Sequence, residues 1–260
     1  VPQVTIRAFN GVFWILNALI VIGVIVIAKL FRDKSLTVRK KVMIWLCSIL
    51  ILIFFLYKIA LSLDAEFLVI NRIEKFDWWS ELPLQLCNIN MFLIMLSVIF
   101  DKKAIMGFAF FVAPLGAFMA ITFPEPAFTD SNIFLLRNLG FYLTHGLIMV
   151  AGISLCTLGF FRPKLKIVPK VMLILTFLAL IMHGLNIVLR STVSPIANYF
   201  YTFPPDISIL QLFYSWLPVP FLYEIFGIVI LGVYALIVTI PFMVLEKRNI
   251  PESKKELAGI

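Results

Sequence analysis

The chain has 260 residues, 62% hydrophobic and only 14% charged, with a mean hydropathy of +1.04. A water-soluble domain of this length carries about 25% charged residues, so the composition excludes that class and predicts an all-α polytopic membrane protein. A formal net charge of +8 would suggest nucleic acid in a soluble protein, but no patch interleaves basic and aromatic residues. Lys and Arg gathered in cytoplasmic loops account for the excess instead.

Runs of about 20 mostly apolar residues predict seven spans in one transmembrane domain over 1–260. They cover residues 11–31, 42–63, 83–100, 104–122, 134–160, 167–189 and 219–245. No small-residue cleavage site follows the first run, so it is expected to be a retained span. The loop after it carries Lys29, Arg32, Lys34, Arg39, Lys40 and Lys41 against Asp33 alone. The next loop is acidic, with Asp64, Glu66, Glu74, Asp77 and Glu81. Basic loops then alternate with non-basic ones: Asp101, Lys102 and Lys103; Glu125 and Asp130; Arg162, Lys164, Lys166 and Lys170; Arg190 and Asp206. The tail ends the series with Lys247, Arg248, Lys254 and Lys255. Seven spans with the N-terminus out and the C-terminus in satisfy this alternation, whereas six or eight break it.

Two outer segments are more than connections. Residues 65–82 are amphipathic and contain Trp78 and Trp79, which predicts a helix lying on the membrane surface. Residues 191–218 are rich in Pro, Tyr and Phe, a length and composition that fit either a functional lid or an aromatic belt plugging the bundle. No internal repeat is evident. Cys47, Cys87 and Cys156 sit in separate apolar runs without CxxC or Cys/His spacing, so neither a zinc site nor a structural disulfide is expected. No other metal or cofactor, and no nucleic-acid partner, is expected.

Polar residues inside the spans converge toward the outer face. The third span opens with LPLQLCNIN, which sets Gln85, Cys87, Asn88 and Asn90 in its outer half. Asn138, Tyr142 and His145 share one face of the fifth span, and Thr176, His183, Asn186 and Arg190 one stripe of the sixth. Tyr57 and Lys58 end the second span on the outside; Tyr223 and Glu224 begin the seventh. Five spans thus carry polar groups at one level, above inner halves that are almost purely apolar. This predicts a pocket open to the outer leaflet or outer face. On an ideal helix Gln85 and Cys87 point to nearly opposite sides, so either Pro83 leaves the start of the span irregular or the motif divides, and division is the preferred reading. Cys87 and Asn90 are assigned to the pocket, Gln85 and Asn88 to helix contacts.

Each residue also fits a packing role. Cys87 suits a small apolar filler, His145 and His183 interhelical bonds, Asn88 and Asn90 interhelical glue. Lys58 and Arg190 suit snorkelling cations, and Glu224 the favourable end of a helix dipole. The residues alone leave both readings open.

LPLQLCNIN, YLTHG (residues 142–146) and HGLN followed by NYFYTFPP resemble the YwaF/transmembrane protein 164 family, from about the second span through the seventh. The resemblance implies acyl chemistry on phospholipids, because eukaryotic members look like acyltransferases that move a fatty acyl chain through a cysteine. They are distantly similar to the androgen-induced-gene membrane hydrolases, which pair a Thr with a His. The resemblance assigns the catalytic pair of a phospholipid acyltransferase or lipid hydrolase to Cys87 and His145. Asn90, Asn138, Tyr142, His183, Asn186, Lys58, Arg190 and Glu224 are then the expected substrate-binding residues, with Lys58 or Arg190 holding the phosphate. The expected partner is a membrane lipid and the expected location a bacterial plasma membrane, with the oligomeric state left open. The alternative is a protein that binds or transports a small solute or lipid headgroup in the same pocket. A retinal-type sensor is excluded, since the seventh span has no lysine for a Schiff base.

Overall fold

The computed structural model describes residues 4–129 and 132–248, with side chains to Glu246. Asp130, Lys254 and Lys255 therefore lie outside the described residues, and Lys247 and Arg248 outside the described side chains. The helices are α1 (Gly11–Phe31), α2 (Leu36–Ser62), α3 (Ala65–Ile70), α4 (Leu86–Ile99), α5 (Lys103–Thr122), α6 (Leu136–Thr157), α7 (Val168–Thr192), α8 (Ser208–Trp216) and α9 (Ile225–Arg248). Local chemistry sets their starts. Asn10 Oδ1 accepts from the Phe13 N–H at 2.9 Å, and Asp64 Oδ1 from the Phe67 N–H at 3.0 Å, capping α1 and α3.

α1, α2, α5, α6, α7 and α9 are each long and apolar enough to cross a membrane. α4 has only 14 residues, about 21 Å of helix against a hydrocarbon core of about 30 Å. The contacts at its two ends establish that it nevertheless connects opposite faces. On one face Arg39 Nη1 donates to the Leu158 carbonyl at 2.6 Å and Lys103 Nζ to the Phe160 carbonyl at 3.0 Å, joining the three basic loops. On the other, the Leu82 N–H just before α4 donates to Tyr199 Oη at 2.9 Å, and Asp77 pairs with Ser194. The N-terminal segment joins this second face through an isolated bridge between Thr5 and Asn132. The chain thus makes seven crossings, and the positive-inside rule makes the second face the outer one.

The structure shortens two predicted elements. The third span becomes helical at Leu86 rather than 83, because Pro83 lies in a turn closed by Leu84 N–H to Leu82 carbonyl and Gln85 is extended. The predicted surface helix over 65–82 is helical only through Ile70. Asn71 turns its amide onto the Phe67 carbonyl at 3.0 Å, and Arg72 takes a left-handed φ of 56°, which ends the helix. The aromatic segment 191–218 contains two structured parts. It holds a turn around Tyr199–Tyr201 and then α8, which packs Phe213 and Trp216 on Phe226 of α9.

α5 and α6 form the centre: 61% of the apolar stretch of each is buried, against 17% in α1 and α9. Small residues permit this. A Cβ on Gly152 would lie 2.9 Å from Pro114 Cδ and 3.1 Å from Ala113 Cβ, so α5 and α6 meet almost backbone to backbone. α2 and α6 are as close at Gly140, where a Cβ would collide with the Tyr57 ring. Outward, Leu19, Ile22, Leu52, Leu56, Leu173, Phe177, Val233 and Ile237 are exposed, the apolar belt that lipid covers.

Candidate functional site

A cavity of about 960 Å³ lies in the outer half of the bundle, at the upper end of the range of about 300–1,000 Å³ usual for ligand sites. Five crossing helices place polar side chains in its wall: Lys58 from α2, Cys87 and Asn88 from α4, Thr144 and His145 from α6, Arg190 from α7, and Glu224 from the turn that opens α9. The shortness of α4 makes the room. Its first turn lies below the outer surface, where the Leu86, Cys87 and Asn88 N–H groups precede the helical ladder and the Gln85 side chain does not cap them.

Cys87 is half-buried in this wall. Its Sγ faces Gly116 of α5, where a Cβ would approach to 3.2 Å. Asn88 is buried with Oδ1 unpartnered, and Thr144 Oγ1 is likewise buried without a partner. His145 Nδ1 lies 2.8 Å from the Phe141 carbonyl. A carbonyl only accepts, so Nδ1 carries the proton and Nε2 presents a lone pair. That is the tautomer of a general base.

The motif LPLQLCNIN divides differently from the helical-wheel expectation. Gln85 is indeed committed structurally: Nε2 donates to the Asn198 carbonyl at 3.2 Å, and Oε1 accepts from the Phe200 N–H at 2.9 Å. The asparagines exchange places. Asn88 lines the cavity, whereas Asn90 is fully buried and donates to the Leu86 carbonyl of its own helix at 2.6 Å. Gln85 precedes the helix and does not share its phase, whereas Asn88 and Asn90 both lie within α4, about 200° apart, so only one of them can face the cavity, and the packing of α4 in the bundle turns Asn88 to it.

Lys58, Arg190 and Glu224 line the cavity, but four other expected binding residues build the frame around it. Asn138 Nδ2 donates to the Asn132 carbonyl at 2.7 Å and Tyr142 Oη to the Phe128 carbonyl at 3.3 Å, holding the loop between α5 and α6. Asn186 brackets Tyr199, donating to its carbonyl at 2.8 Å and accepting from its N–H at 2.9 Å. His183 contacts Thr202 Oγ1 at 3.0 Å and stacks on Phe203. Together with Gln85 these contacts impose left-handed φ values of 57° and 56° on Phe200 and Tyr201, which direct Tyr201 into the cavity.

Two acids in the wall do not stand out in the sequence as site residues. Glu81 forms an ion pair with Lys58, so that cation is already partly neutralised. Glu125 accepts from Tyr201 Oη at 2.5 Å. Burial, followed by the nearby Glu81 carboxylate, pushes the Glu125 carboxyl up to about 7, against the pull of the Tyr201 hydrogen bond. Its local signal is the sequence Pro124-Glu125-Pro126, which ends α5 and keeps the acid at the membrane boundary. Arg137 is equally inconspicuous in the sequence: it is buried at the outer end of α6 and pairs with Asp64 and Glu66, both at 3.0 Å.

Residues 8–238 match the model of the TMEM164 family. The chain belongs to the TMEM164 family. No curated protein and no solved structure matches it. Membership in the TMEM164 family accords with the multi-pass helical architecture, and the match takes in every cavity-lining residue from Phe54 to Leu231.

Proposed function

We propose that the cavity is the active site of a phospholipid acyltransferase that uses Cys87 as nucleophile and His145 as base. The observation that carries this reading is that both residues line one membrane-embedded cavity, with His145 held as the Nδ1–H tautomer. The thiol proton passes to His145 Nε2 as Sγ bonds to the ester carbonyl carbon of a phospholipid. The first-turn N–H groups of α4 and the Asn88 amide are the candidate donors to the oxyanion that forms. Collapse breaks the C–O bond, and the proton on Nε2 goes to the departing lysolipid alkoxide. The hydroxyl of a second lysolipid then attacks the acyl-cysteine, gives its proton to His145 and regenerates the thiolate as the new ester forms. Arg190 and Lys58 stand where a phosphate meets the cavity, and Glu125 exchanges protons near neutrality.

The test is acyl transfer between an isotopically labelled phospholipid and a lysolipid acceptor in nanodiscs, with mass-spectrometric detection of acyl-Cys87. Cys87→Ser is expected to abolish the adduct, and His145→Gln to lower transfer by about 10²–10⁴-fold. Cys156→Ala is expected to retain it. Full transfer by Cys87→Ala would eliminate the dyad and leave binding or transport in the same cavity as the surviving reading.

A further inference from the structure

The cavity has two chemically distinct parts. Toward the outer surface it is polar, with Lys58, Glu81, Glu125 and Arg190 in the wall. Below that an apolar branch runs between α5 and α9. On α5 it is lined by Val112, Leu115 and Met119, and on α9 by Gly227, Ile228 and Leu231. Each set follows helical spacing, so each is a continuous stripe on one helix face. Val112, Leu175 of α7 and Leu231 are buried and close the deep end. From Glu224 to Leu231 the α9 stripe descends about 10 Å, which brings the branch toward the bilayer midplane.

Two observations distinguish this branch from ordinary core. Gly227 lines it, and a Cβ built there would meet no atom within 4 Å. The glycine therefore borders open space; Gly116 and Gly152, by contrast, admit a tight helix contact. In addition, Leu212 and Trp216 of α8 and Ile230 of α9 line the cavity while 44%, 58% and 44% exposed. The cavity thus reaches the lipid-facing surface between α8 and α9 at the outer boundary. An apolar channel that starts at headgroup level, opens sideways into lipid and descends along a transmembrane helix matches one occupant, a membrane lipid with its acyl chain extended along α9.

We propose that the branch is the acyl-chain site, entered laterally from the outer leaflet beneath α8, and that Gly227 is the residue that keeps it open. This rests on the acyltransferase reading for its chemistry but not for its binding. A chain lying in the branch leads up past Leu115 and Gly116 to Cys87, so its ester end arrives where the nucleophile stands. Bulk at Gly227 then acts on which chain is admitted.

The experiment uses the full chain in phosphatidylcholine nanodiscs doped with a phosphatidylcholine that carries a diazirine near the end of one acyl chain. After irradiation, cross-linked peptides are mapped. Adducts are expected on 112–120 and 227–231. Gly227→Phe is expected to reduce them at least tenfold. Gly184→Phe, on an exposed position of α7 that also has open space, is expected to leave them unchanged. Size-exclusion and melting profiles establish that each variant is folded, and Gly227→Leu replaces Gly227→Phe should the latter misfold. Adducts spread evenly over the lipid-facing belt, or undiminished in a folded Gly227 variant, would overturn the proposal. Cys87→Ser separates the two claims. If its cross-links persist while wild type forms no acyl-Cys87, the chain site stands and the transferase reading fails. If wild type forms acyl-Cys87 without adducts in the branch, the reverse holds.

Discussion

Replacing Gln85 by Ala tests how the aromatic turn in the cavity wall is held. Gln85 is the residue before α4, and its amide makes two hydrogen bonds to the aromatic turn, to the Asn198 carbonyl and from the Phe200 N–H. Phe200 is only 7% exposed, so truncation strands a buried N–H at a cost of about 1–3 kcal/mol and removes a second bond worth about 1 kcal/mol. A loss of about 2–4 kcal/mol is expected. Phe200 and Tyr201 also hold left-handed backbone, which costs about 1–2 kcal/mol per residue. Freed from Gln85, the turn is expected to relax toward right-handed geometry and to withdraw Tyr201 from Glu125. Thermal unfolding in detergent should fall by about 5–15 °C, since 1 kcal/mol shifts a chain of this size by roughly 2–4 °C. Hydrogen exchange at the Phe200 amide should accelerate more than exchange in α5. A melting shift below about 2 °C, with Phe200 still protected, would refute the view that this glutamine holds the turn.

Glycine substitutions separate close contact from open space. Gly140→Ala drives a Cβ into the fixed base of the Tyr57 side chain and should cost about 1–3 kcal/mol or more, seen as lost folded yield. Gly184→Ala meets nothing and should stabilise by about 0.5–1 kcal/mol, read as a raised melting temperature. Two acids give opposite pH limbs. Glu125 has its folded pKa raised to about 7, so its favourable contribution is complete below its unfolded value of about 4.3 and disappears as pH rises through neutrality. Melting temperature should therefore decline between about pH 5 and pH 8, and Glu125→Gln should flatten that decline. Asp64 behaves oppositely. Burial works against its charge, but the Phe67 N–H and the Arg137 guanidinium outweigh burial and hold its carboxyl below the usual range. Its contribution is present above about pH 4 and lost as pH falls, so Asp64→Asn should remove part of the acid limb of the melting profile.

The sequence by itself determined the membrane class, the seven crossings and their orientation. Hydropathy and loop charge are one-dimensional quantities, and a bilayer reads them directly through desolvation and the placement of Lys and Arg. It also puts Lys58, Cys87, His145, Arg190 and Glu224 in the outer halves of their spans, because depth follows from position along a span, and all five line the cavity. Depth alone does not say which side of a helix faces inward, and there the tertiary structure decided. Pro83 delays α4 until Leu86 and leaves Gln85 outside the helix, and the way α4 packs in the bundle turns Asn88 rather than Asn90 to the cavity wall. Asn138, Tyr142, His183 and Asn186 are polar and near the same level, yet each is consumed by a loop carbonyl, N–H or hydroxyl that arrives from elsewhere in the chain. Glu81 and Glu125 read as ordinary loop acids until the turn at Tyr199–Tyr201 folds over them. Gly227 is one glycine among 12 in the sequence; only the gap between α5 and α9 shows that it borders space rather than a neighbour.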